Sequence, residues 1–201
     1  DSIAKVDTGR ADAGLADAAV IIGSRARGTT VKVVGIIFDS SPMNFFSKAD
    51  SAITTPADLK GKTIGAPAGD SQRLMWPAFA RINNLDVNDI NWVNIEPTAK
   101  YAALAEGRAD AVTDYTTGFP MAEKAVGEGK VVSLNWADYG FELYAMSIMA
   151  SEATMKDRPD ALKGFLEASY KGWQDVMNDP AAAMAIYKKA VPEIDEVALS
   201  A

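Results

Sequence analysis

The sequence predicts an α/β protein of two lobes, and three observations predict it. Short strand-like segments alternate with amphipathic helical stretches through the middle of the chain, the run Gly-Arg-Ala-Asp-Ala occurs at 9–13 and again at 107–111, and everything from Ser151 onward reads as helix. Strict alternation of this kind implies a parallel sheet with right-handed crossovers.

The repeat reaches beyond its identical letters, since Ile3, Ala4 and Val6 precede the first glycine at the spacing at which Tyr101, Ala102 and Leu104 precede the second. Each copy reads as a helix end, a glycine in the position that needs positive φ, and a strand. Each is expected to deliver a carboxylate just past its strand, Asp17 in the first and Asp114 in the second. Ligands of open α/β sheets sit outside the carboxyl ends of strands, so two such sheets facing one another would make a cleft with both acids near it. Residue types this common could also recur by chance, and two copies are too few for a solenoid.

In order, the pattern predicts a helix over 1–8, a strand over 11–15, and a helix for which Asp17 would serve as N-cap. Val31 to Phe38 is β-branched and apolar and reads as a strand ending in Asp39-Ser40-Ser41-Pro42, where Asp39 is a ligand candidate or a turn former. Met43 to Ser47 reads as a further strand. Thr55-Pro56-Ala57-Asp58-Leu59-Lys60-Gly61 is one helical turn with Thr as N-cap and Pro at N1.

A strand at 63–67 then runs through Gly69 into a helix. Ser71, Gln72 and Arg73 lead into it, and Pro77 fits its first turns if the helix begins near 74–76, which leaves the start open. Free backbone N–H groups are expected there, suited to a small polar or anionic group. A strand at 90–95, a helix closing at Gly107 and the repeated strand at 109–115 complete β-α-β-α-β. A helix over 116–126 and a strand over 131–136 follow. Trp136, Tyr139 and Phe141 are candidates either for stacking a planar ligand or for core packing. A strand over 143–150 returns to the first lobe, helices follow at 151–156, 159–178 and from 180, and a further helix is expected beyond Pro192.

The 201 residues are 48% hydrophobic, enough for a sizeable core, and the net charge of −7 argues against a nucleic-acid surface. The chain has neither Cys nor His, which excludes thiol nucleophiles, Ser-His pairs and most transition-metal sites. Absence of Cys suits an oxidising compartment. No apolar run approaches the ~18 residues of a membrane span. The first residues fall inside a helix, as expected of a mature or truncated product. No Walker or dinucleotide glycine fingerprint is present, so no nucleotide or other cofactor is implied.

The run Asp58-Leu59-Lys60-Gly61-Lys62-Thr63-Ile64-Gly65, the two Gly-x-Ala-Asp segments and Gly172-Trp173 followed by Asn178-Asp179-Pro180 resemble the solute-binding proteins of ABC importers. The resemblance is to the NMT1/THI5-like branch, which holds binders of thiamine pyrimidine precursors, sulfonates, taurine and nitrate. It implies a type II periplasmic binding fold in which each lobe is a mostly parallel sheet flanked by helices, with a two-stranded hinge. On that basis residues 1–46 and 143–201 form lobe 1, discontinuous and lacking an amino-terminal strand, helix and strand, and 47–142 form lobe 2.

Carried over by position, the resemblance implies a cleft lined by Asp17 and Asp39 from lobe 1 and by Ser71, Gln72, Asp114 and Tyr115 from lobe 2, with Tyr139 near the hinge. It also implies a permease partner, a periplasmic location, closure of the lobes over a small molecule, and no chemistry; a monomer is expected. Carboxylates at Asp39 and Asp114 with aromatic faces at Tyr115 and Tyr139 would suit a neutral or cationic heteroaromatic. The same acids would repel the anion that Ser71 and Arg73 could otherwise hold. Pyrimidine-synthesising relatives use a His that this chain lacks, and a pyridoxal-phosphate enzyme would need Lys60 or Lys62 for a Schiff base. The effector domain of a transcription regulator can share the fold and is the third reading.

Overall fold

The computed structural model describes residues 2–194. These residues divide into two compact units, one built from 2–37 and 146–194, the other from Phe38–Ala145.

The first unit opens with α1 (Ser2–Asp7), β1 (Ala13–Asp17), α2 (Ala18–Ala26) and β2 (Val31–Ile36). Ile3 and Val6 on α1 are buried with Ile21, Val31 and Met149. Gly9, at φ 71°, closes α1: its N–H donates to the Val6 carbonyl at 3.1 Å and that of Arg10 to the Lys5 carbonyl at 2.8 Å. This paired closure satisfies carbonyls that the helix end leaves open.

The second unit contains β3 (Met43–Lys48), β4 (Thr63–Ala66), α3 (Ser71–Ile82), β5 (Asn91–Asn94), α4 (Lys100–Ala105), β6 (Ala111–Tyr115), α5 (Phe119–Val126) and β7 (Val131–Asn135). Its sheet has the order β5-β4-β6-β3-β7. The expected β-α-β-α-β run forms the parallel part, with β4 parallel to both β5 and β6. β3 lies antiparallel between β6 and β7.

The expected boundary after residue 46 therefore needs correction. Residues 43–47 are buried without interruption, because helices and loops cover both faces of the sheet that β3 joins. Phe45 packs on one face with Trp76, Phe79, Trp136 and Phe141, while Phe46 packs on the other with Leu104, Val112 and Ala122. A strand so placed belongs to the second unit.

The chain returns to the first unit as β8 (Met146–Ser151), followed by α6 (Glu152–Asp157), α7 (Pro159–Asn178) and α8 (Pro180–Ala190). β8 is buried almost throughout and pairs antiparallel with β1 on one side and β2 on the other. Each unit thus carries one antiparallel strand between its others. Ser151 and Asp179 cap α6 and α8 by accepting from the amides of Thr154 (3.1 Å) and Ala182 (3.0 Å). Tyr170 ties α7 to β2: its oxygen accepts from the Ile36 amide at 2.9 Å. The helix expected beyond Pro192 extends outside the described residues.

Candidate ligand-binding site

The site is built where β4 runs into α3 beside the end of β6. α3 begins at Ser71, with Asp70 as its N-cap: Asp70 Oδ1 accepts from the amides of Gln72 (3.0 Å) and Arg73 (3.1 Å), and Oδ2 from the Thr113 hydroxyl at 3.0 Å. Two corrections follow. The amides expected to be free for a ligand are largely taken by Asp70, and the helix starts a turn earlier than Pro77 suggested. Pro77 stands mid-helix on the exposed side, where water can satisfy the carbonyl its missing N–H leaves open.

β6 supplies Asp114 and Tyr115, and α4 supplies Lys100 and Tyr101. The Lys100 ammonium is buried, 3.0 Å from Asp114 Oδ2, and donates to the Thr113 carbonyl at 2.5 Å, leaving one N–H beyond these two partners. Tyr101 donates to the same Asp114 oxygen at 2.7 Å, and the Tyr115 amide to Oδ1 at 2.8 Å. Burial, and then the Asp114 carboxylate beside it, hold the Tyr101 hydroxyl protonated well above its usual range. The buried Gln72 fixes the strand end by donating from Nε2 to the Asp114 carbonyl at 2.6 Å. Around these groups lies an open cavity of about 450 Å³, lined by Asp70, Ser71, Gln72, Lys100, Asp114 and Tyr115 together with Pro67 and Gly69.

Four of the seven expected site residues, Ser71, Gln72, Asp114 and Tyr115, come together in this cavity. Asp17 lies in the first unit, buried at the end of β1 in the N-cap position of α2, and its side chain makes no capping hydrogen bond. It is also not the counterpart of Asp114. Superposing the repeat at Gly9 and Gly107 sets β1 against β6 residue for residue, so that Asp17 matches Tyr115, and Asp114 points to the opposite sheet face. Asp17 is the last residue of its strand and Asp114 the last but one, so neither follows its strand as expected.

Asp39, expected in lobe 1, is exposed in the second unit, outside the cavity wall. Tyr139 packs against the aromatic core and donates to the Thr54 carbonyl at 2.9 Å. Trp136 and Phe141 are core residues, with Trp136 stacked on Phe79 at 4.2 Å. Arg73 does not line the cavity: it reaches Asn94 at 2.5 Å and lies over the Trp92 ring at 5.4 Å. Lys60 pairs with Asp89 at 3.5 Å, and neither it nor Lys62 lines the cavity.

Sequence reasoning missed Asp70, Lys100 and Tyr101. An Asp at a helix start is the ordinary N-cap signal. For Lys100 the signal was its place with Ala103 and Leu104 on one buried stripe of α4, where a charge needs a partner. Among the described residues no group of His, Cys, Asp and Glu is arranged to hold a metal ion.

The fold recurs in solved periplasmic proteins. The aliphatic sulphonate binding protein SsuA from Escherichia coli superposes with a TM-score of 0.80 at 20% identity, covering 98% of this chain and 67% of that one. The alkanesulfonate-binding SsuA from Xanthomonas axonopodis pv. citri, bound to MOPS, gives 0.77 at 19% identity with the same coverage. The fold is thus that of the periplasmic binding proteins. A family model described as NMT1/THI5 like matches residues 1–183, and the chain belongs to that family. The riboflavin-binding protein RibY of Chloroflexus aurantiacus is 28% identical over 175 residues, 86% of this chain and 49% of that protein. The formylaminopyrimidine-binding protein of Halalkalibacterium halodurans is 24% identical over 170 residues, 83% and 50% respectively. The chain spans about half the length of these curated relatives. No helix among the described residues is long and apolar enough to cross a membrane.

Proposed function

We propose that the protein is the solute-binding receptor of an ABC importer, acting outside the cytoplasm as a monomer, and that its ligand is a neutral or cationic nitrogen heteroaromatic of the pyrimidine type. The observation that carries the reading is the balanced polarity of the second unit's cavity. Lys100 and Ser71 offer hydrogen-bond donors, Asp70 and Asp114 retain acceptor capacity, and Tyr115 adds an aromatic ring. Rings that alternate N–H and carbonyl or ring nitrogen complement such a wall. Two relatives named for riboflavin and a formylaminopyrimidine support this choice. The receptor binds its ligand unchanged and presents it to a permease.

A sulfonate, taurine or nitrate ligand is the second reading, favoured by Lys100 and by the structural neighbours named for sulfonates. A thermal-unfolding panel of formylaminopyrimidine, riboflavin, taurine, methanesulfonate and nitrate separates the two. A ligand of the folded state adds RT ln(1 + [L]/Kd), about 2.7 kcal/mol at a hundredfold excess. Stabilisation by a heteroaromatic and not by the anions is expected; stabilisation by the anions alone would overturn the choice.

A further inference from the structure

The charge of the cavity is set by a chain of contacts through one buried residue. Thr113 accepts the Lys100 ammonium on its carbonyl at 2.5 Å and donates its hydroxyl to Asp70 Oδ2 at 3.0 Å. The other Asp70 oxygen holds the amides of Gln72 and Arg73. A carboxylate of the chain therefore occupies the place where the first turn of α3 and Lys100 would together attract an anionic group. Capping alone does not call for that charge, because a neutral Asn or Ser caps a helix about as well.

We propose that Asp70 determines the charge of the ligand this cavity accepts, an inference resting on the cavity being the ligand site. It is a built-in anion. A sulfonate, carboxylate or phosphate entering the cavity meets Asp70 and Asp114 across a single ammonium that Asp114 already holds at 3.0 Å. A neutral ring meets the same groups as hydrogen-bond partners without net repulsion.

The substitution Asp70→Asn keeps the capping oxygen and the side-chain size while removing the charge. Calorimetric titration at low salt with methanesulfonate compares wild type, Asp70→Asn, and Asp138→Asn, which makes the same change in net charge at an exposed position outside the cavity. We expect Asp70→Asn to bind methanesulfonate at least about tenfold more tightly than wild type, Asp138→Asn to show no such gain, and Asp70→Asn/Lys100→Met to lose it. Asp70→Ser, also a capping residue, repeats the test if the Asn variant does not fold.

Equal methanesulfonate affinity in wild type and both Asp70 variants would overturn the proposal, as would tight binding by wild type. The pyrimidine reading fails separately. If wild type binds no heteroaromatic yet Asp70→Asn gains methanesulfonate, the role of Asp70 stands and the ligand assignment falls.

Discussion

Lys100 and Asp114 carry the largest energetic stake of any pair in the cavity, because both are shielded from water and each is the other's counter-ion. Removing one partner of such a pair strands the other charge, which costs about 3 kcal/mol, whereas removing both costs much less. Lys100→Met should therefore lower the denaturant midpoint sharply, and Lys100→Met/Asp114→Asn should recover most of the loss. Full additivity of the two single variants would show that the pair is not coupled.

Tyr101 adds a pH dependence of definite sign. Its folded pKa lies above the ordinary 10.0, so the stability it contributes is complete below pH 10 and is lost as pH rises from there toward the folded value. Tyr101→Phe should flatten the alkaline fall of the melting temperature. An unchanged alkaline limb would place the titrating group elsewhere.

The repeated run is an element with one geometry used twice. Gly107, like Gly9, sits at φ 71°, and its amide and that of Arg108 donate to the carbonyls of Leu104 (3.1 Å) and Ala103 (2.9 Å), the same closure that ends α1. An alanine there must adopt the left-handed conformation, at about 1 kcal/mol. Gly9→Ala and Gly107→Ala should each lose about that much in chemical denaturation, and a cost at one glycine only would break the equivalence.

This repeat and the β4-α3-β5-α4-β6 alternation were legible in the sequence, because glycine chemistry and hydrophobic period act locally. The divergence after the shared run was legible as well, because Asp17 lies eight residues past its glycine and Asp114 seven, and a one-residue offset changes the sheet face. The position of β3 was hidden. Met-Asn-Phe-Phe-Ser-Lys says strand but not which sheet, and only its pairing to β6 and β7 decides.

At the scale of the molecule, the two-unit α/β plan followed from alternation and repetition, while the crossings between units at 37–38 and 145–146 did not. The site was half legible for a related reason. Asp114 follows from the rule that strand ends carry ligand groups and Ser71 from the helix start after β4, while Gln72 and Tyr115 came from the family resemblance. Asp70 and Lys100 carried local signals, an N-cap position and a buried helix stripe, but their meeting at Thr113 is a long-range contact that those signals do not specify. The most direct measurement is an amide chemical-shift map of the protein titrated with formylaminopyrimidine. Saturable shifts are expected in the second unit, centred on Gly69 to Gln72 and Asp114 to Tyr115. No saturable shift there, with taurine or methanesulfonate moving the same amides instead, would contradict the pyrimidine reading.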